Sequence, residues 1–157
     1  MWRQLAAGAA AGAAGTTALN AVTYLDMAVR GRPASSTPER SVEAIAERAG
    51  LSVPGEGETR DNRLGGIGAL SGIATGVAVG ALFGGLRAFG LRPGPLLGTV
   101  LVGLSAMAAT DSSMARLGIS DPRSWSAADW LSDLVPHLAY GAVVSTTLEA
   151  LDRRQAH

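Results

Sequence analysis

The sequence has no cysteine and no lysine, and only 4% of its residues are aromatic. Without cysteine there is no disulfide framework, no thiolate metal site and no cysteine nucleophile. All the basic residues are therefore arginines, and together with heavy alanine and glycine usage they indicate a GC-rich bacterial genome. Thirteen basic residues balance thirteen acidic ones, so the chain lacks the electrostatic footprint of a nucleic-acid binder. Charge is scarce at 17%, well under the quarter usual for a water-soluble domain. A soluble core so poor in aromatics would also pack badly around 21 glycines. In lipid, by contrast, small residues let helix backbones approach closely.

What is present is long uncharged tracts. At 157 residues the chain is long enough for one domain, and 47% of it is hydrophobic, with a mean hydropathy of +0.22. A membrane crossing needs about 20 predominantly apolar residues. Residues 5–25 supply the first, with Trp2 as an interfacial anchor and no charge between Arg3 and Asp26. The alternative of a signal peptide is disfavoured by the length of this tract. Residues 64–86 supply the second and 96–114 the third, the latter containing Asp111. Residues 134–148 give a shorter fourth, which contains Pro136 and His137. The expectation is an all-α membrane protein, a single domain over 1–157 with four transmembrane helices in an up-down-up-down bundle.

Two polar connections separate the tracts. In the loop at 30–63, Thr37 as N-cap and Pro38 at the first position start a short amphipathic helix that Gly50 ends. Val42, Ile45, Ala46 and Ala49 share one face of it, suited to the bilayer surface or to covering the bundle. Val53 to Thr59 reads as an acidic loop. Between Arg116 and Asp133, Ser126 and Asp129 suit the cap of a short helix carrying Trp125 and Trp130, an interface belt. Arginines Arg87, Arg92, Arg153 and Arg154 crowd short connections on one side, which favours cytoplasmic termini.

The most specific pattern is Gly68, Gly72, Gly76, Gly80 and Gly84, recurring at every fourth residue of the second tract. Such a glycine zipper is a groove without side chains that favours an oblique helix crossing. It serves packing within the bundle, or contact with a second copy or another membrane protein. A fainter pattern pairs Thr23, Met27 and Ala28 with Thr110, Met114 and Ala115, which suggests a two-helix unit used twice about an axis along the membrane normal.

The opening AAGAAAGAAGTT at 6–17, the glycine-patterned second tract and His-Leu-Ala-Tyr-Gly at 137–141 together resemble the YagU-like group of small bacterial inner-membrane proteins. The resemblance covers most of the chain as layout. It departs in the second tract, where such proteins often carry a histidine and this chain reads Gly-Ile-Gly-Ala-Leu-Ser-Gly. It implies a multi-pass protein of the bacterial plasma membrane and transfers no catalytic residue.

Hairpin topology gathers polar residues at the end where tracts one and three finish and two and four begin. Asp26, Arg30, Arg63, Asp111, Asp133, His137 and Tyr140 form this candidate polar site. At 1.5 Å per residue, Asp111 lies roughly 24 Å beyond Pro95, near the edge of the hydrocarbon. Two readings compete. Asp111 pairs with an arginine such as Arg63 or Arg30 and His137 bonds across the bundle, or Asp111, Asp133 and His137 handle protons or an ion. Two histidines, one of them terminal His157, are too few for a His-rich metal site, and no cofactor is implied. Ser112 or Ser113 can be drawn into a triad with His137 and Asp133, but no nucleophile-elbow motif supports it. The leading functional expectation is a non-enzymatic helix-packing or accessory protein in the lipid bilayer. The alternative is a small proton or ion channel or transporter using Asp111, Asp133 and His137. A lipid-directed enzyme is third.

Overall fold

The computed structural model describes residues 1–155, so His157 lies outside the described residues. Among the described residues there are five α-helices: α1 Trp2–Arg30, α2 Thr37–Arg48, α3 Gly57–Ala88, α4 Pro95–Leu117 and α5 Ala127–Gln155. Three of them, α1, α3 and α4, are long and apolar enough to cross a membrane. The expected fourth tract, 134–148, forms the middle of α5. That helix is long enough, but Asp129, Asp133, His137, Glu149 and Asp152 dilute its apolar character.

Helix ends follow local chemistry. At the end of α1, Gly31 takes a left-handed φ of 63°, and Pro33 prevents continuation. The amphipathic helix α2 starts where Pro38 directs, but its N-cap is Ser36 rather than Thr37. Gly50, at φ 69°, lets the amide of Leu51 return to the carbonyl of Ala46. Val42 and Ala46 are half-buried, whereas Ile45 and Ala49 face outward, so the apolar face of α2 is only partly covered.

Two expectations are corrected here. The segment Gly57–Thr59, expected in an acidic loop, is already the first turn of α3, with Glu58 at the helix's positive end. No separate helix carries both tryptophans either. Residues Pro122–Ser124 form one 3-10 turn, Trp125 follows it in extended backbone, and Trp130 belongs to the first turns of α5. The reason is the capping box itself. The Ser126 amide donates to Asp129 Oδ2 at 2.9 Å, and the Asp129 amide donates to Ser126 Oγ at 3.2 Å, so the helix starts there and runs on. The rings of Trp125 and Trp130 meet edge-on, with centroids 5.0 Å apart, at the end of the molecule opposite Trp2. Ser126 also holds the Asp129 carboxyl below the usual carboxylate range by hydrogen bonding. The cap is thus complete at neutral pH and weakens as pH falls through that lowered value. Ser126→Ala is expected to cost about 1 kcal/mol, read as a lower denaturation midpoint.

The helices pack as a row, α3–α1–α5–α4, and the three close pairs are antiparallel. Gly8 of α1 faces Gly80 and Gly84 of α3, and Gly15 faces Tyr140 and Val144 of α5. Gly103 of α4 lies against the backbone of His137 and Leu138. Consecutive helices α3 and α4 are joined by a short turn yet scarcely touch, contrary to a simple up-down sequence of neighbours. The two-helix unit likewise packs without the expected symmetry. An axis relating α1–α3 to α4–α5 would make α3–α4 the equivalent of the extensive α1–α5 contact. At the loop-rich end α2 bridges the gap, with Pro38 against Gly68 and Arg48 donating to the carbonyl of Arg116 at 3.0 Å.

The core is small: Ala11, Val102, Ala106, Tyr140, Val144 and Leu148. Much of the remaining apolar surface is outside. Leu70, Leu82, Leu96, Leu97 and Val29 are all more than half exposed. The accessible surface is 9290 Å², against about 7,400 Å² for a compact water-soluble monomer of this mass. Water would penalise that excess at about 25 cal/mol per apolar Å², and lipid would not. The lipid bilayer is the solvent that fits these faces.

Candidate functional site

Glycine builds the scaffold that positions the polar residues. A Cβ on Gly80 would stand 2.5 Å from the Gly12 Cα, and one on Gly84 would stand 2.7 Å from the Gly8 Cα. Gly76 lies against the Thr16 side chain. The zipper therefore divides. Gly76, Gly80 and Gly84 receive α1, Gly68 receives Pro38 of α2, and Gly72 faces open space. Residues 69–74 of α3 are exposed on every side, because α1 and α3 cross obliquely and separate beyond Gly76. A second seam joins α4 to α5. A Cβ on Gly141 would meet the Gly103 amide at 2.7 Å, and one on Gly98 the Ser145 hydroxyl at 2.8 Å.

That second seam brings three of the expected polar residues together. Asp111 of α4 and His137 of α5 are both buried, at 9% and 8% exposure, and Asp133 lies one turn before His137. His137 Nδ1 is 2.8 Å from the main-chain oxygen of Asp133 and 3.3 Å from its Oδ1. A carbonyl oxygen only accepts, so Nδ1 carries the hydrogen and the ring's other nitrogen is the one free to gain or lose a proton. Asp111 is repelled by the Asp133 carboxylate and attracted by His137. Its Oδ1 and the Oδ2 of Asp133 are buried with no hydrogen-bond partner. Among the described residues no three histidine, aspartate or glutamate side chains converge as a metal-ligand set.

The other expected members lie elsewhere. Asp26 pairs with Arg30 at 3.4 Å and Arg32 at 2.5 Å, and Arg30 also donates to Ser132 Oγ at 2.6 Å, tying α1 to the start of α5. Arg63 donates to the carbonyl of Pro54 at 2.7 Å, within its own connection. The expected pairing of Asp111 with Arg63 or Arg30 is thus not seen among the described residues: Arg63 is engaged within its own connection, and Arg30 with Asp26 and Ser132. Tyr140 leaves the cluster altogether. It is 1% exposed in the core, and its hydroxyl donates to the carbonyl of Gly76 at 2.6 Å, joining α5 to α3. Ser112 and Ser113 are exposed, their hydroxyls turned to the carbonyl of Ala109, and no bond joins either to His137.

A cavity of about 510 Å³ opens at the same end, lined by Ala115, Gly118, Ile119, Ser120, Asp121, Pro122 and Arg123. Ala115 is four residues from Asp111, so the cavity begins one turn beyond the buried carboxylate on the same helix face.

At the opposite end is a cluster that the sequence alone does not mark. Arg87 of α3 donates to Asp152 Oδ2 at 2.5 Å, and Gln4 of α1 donates to Asp152 Oδ1 at 3.3 Å. The Arg87 and Asp152 side chains are 7% and 13% exposed, the most deeply buried ion pair among the described residues. Nothing in the spacing of residues 4, 87 and 152 announces it. The glycines of α1 are more legible, since Gly8 and Gly12 repeat the four-residue step of α3. No known family, curated protein or solved structure matches this chain.

Proposed function

We propose that the chain is a four-span protein of a bacterial plasma membrane that acts without catalysis, as a helix-packing or accessory component. Support for the fourth span comes from alignment. α5 lies along the whole of α1, from Gln4 against Asp152 through Gly15 against Tyr140 to Arg30 against Ser132. A bilayer crossed by α1 is therefore crossed by α5.

The observation that carries the accessory role is the bare middle of α3. Residues 69–74 are all exposed, and a methyl group placed on Gly72 would meet nothing within 4 Å. With Leu70 and Ile73 beside it, this segment offers a close-approach surface to a transmembrane helix of a second copy. A contact of α3 on α3 is self-complementary about a two-fold axis, as closed dimers require.

Gly72→Leu is the test. It fills open space, so with both chains held monomeric in excess detergent the stability should stay within about 0.5 kcal/mol of the parent. The assembled mass in mild detergent should fall from dimer to monomer. An unchanged assembled mass, or a parent chain that is already monomeric, would sink the reading.

A further inference from the structure

We propose that Asp111, Asp133 and His137 form a proton-binding site, in which one bound proton is shared by Asp111 and His137 and joins the loop-rich ends of α4 and α5. Three observations carry it, each independent of the accessory role proposed above. First, Asp111 is nine-tenths buried and its Oδ1 has no hydrogen-bond partner, which is a costly setting for a bare carboxylate. A proton divided between the carboxyl and the imidazole beside it removes that cost. Second, the His137 Nδ1 hydrogen is committed to Asp133, so the remaining ring nitrogen is the position at which a proton arrives or leaves. Third, the site has a wet approach. Asp133 is the partly exposed member, at 24%, and the cavity lined by Ala115 begins one turn from Asp111.

The surrounding charges leave this role to the three residues. From α1, which packs on α5, Asp26 and Arg30 face one another, Arg32 and Ser132. From α2, Arg48 is turned to the carbonyl of Arg116, and Glu43 pairs with Arg60 of α3. The charges acting on Asp111 are those of Asp133 and His137. Proton balance is simple. One proton enters from the water at the loop-rich face, the cluster goes from two carboxylates and a neutral imidazole to one positive charge more, and no bond between heavier atoms changes. Loss of that proton leaves the buried Asp111 carboxylate and the half-buried Asp133 carboxylate repelling each other across the α4–α5 seam. Their repulsion acts at the end of the seam that lies beyond Gly103.

The full chain in lipid nanodiscs tests this, with pH as the only variable. The His157→Ala background leaves His137 as the single histidine, so its ring resonances are unambiguous. In that background Asp111→Asn should move the His137 titration midpoint to lower pH by about half a pH unit or more, because the imidazolium loses an anionic neighbour. The parent chain labelled with 13C-aspartate reads the carboxyls without any substitution at the site. Its infrared spectrum should show a carboxylic-acid carbonyl band that disappears together with the His137 imidazolium, since one proton serves both groups. Asp133→Asn should also move the His137 midpoint. A shift with Asp133→Asn and none with Asp111→Asn reduces the site to a local pair on α5 and overturns the proposal. So do identical midpoints in all three chains, or the absence of the acid band from the labelled parent.

Discussion

Gly80→Leu is expected to abolish the folded state, or to lower its stability by more than about 3 kcal/mol, which exceeds the usual cost of overpacking. The reason is what the new side chain would meet. A Cβ at residue 80 comes within 2.5 Å of the Gly8 oxygen and the Gly12 Cα, and within 2.7 Å of the Gly12 nitrogen. These are backbone atoms of a continuous helix and cannot swing aside as a side chain can. Relief requires α1 to move away from α3 along the whole crossing, which also exposes the contacts of Gly76 with Thr16 and of Gly84 with Gly8. Against a total stability of about 5–15 kcal/mol for a typical domain, that loss is large. The measurement is a denaturation midpoint in detergent micelles, with Gly72→Leu as the matched control on the same helix. Equal midpoints for the two variants would show that the α1–α3 crossing does not determine the fold.

The contrast between residues 72 and 80 also marks how far the sequence can be read. Both glycines belong to one four-residue repeat, and α1 packs closely into that repeat at Gly76, Gly80 and Gly84. The repeat does not say where along the groove a partner sits. Because the repeat winds around α3, α1 follows it for only three glycines before the two helices separate. Length of apolar tract locates α1, α3 and α4, since each contains an almost uncharged run of membrane length. It locates α5 poorly. That helix gains stability from a capping box at Ser126 and from antiparallel packing on α1, and neither adds to its hydropathy. The order of the row is also hidden, because short loops suggest neighbours whereas glycine seams choose them.

For the polar residues, topology is enough to place Asp111, Asp133 and His137 at one end. Their convergence follows from the helix register set by Gly103 against His137. Tyr140 departs from the expected cluster for a related reason. Three residues beyond His137, it lies almost one turn further from the loop-rich end, level with Gly76, whose carbonyl accepts its hydroxyl. Pairings between distant residues leave no periodic trace, and the Arg87–Asp152–Gln4 cluster is invisible in the sequence on that account.

That cluster supplies the second large effect. Asp152→Ala is expected to destabilise the bundle by about 3–5 kcal/mol, because it leaves the Arg87 guanidinium buried beside α1 and α5 without its counter-ion. Most of that cost comes from the stranded charge, not from the lost attraction, and the two can be separated. Removing both charges with similar volume, as in Arg87→Met with Asp152→Leu, should recover most of the loss, since a well-packed apolar pair is often as stable as the ion pair it replaces. Asp152→Asn should fall between, retaining a hydrogen-bond acceptor for Arg87 and for Gln4 Nε2 but no charge. The position gives the pair a further role in the architecture. It ties α3 to α5 and α1 at the end remote from α2, beside the glycine crossing. If Asp152→Ala alone were as stable as the double replacement, Arg87 would have reached water or a lipid headgroup on its own. The three-helix tie would then be a surface contact with no part in holding α3 in the row.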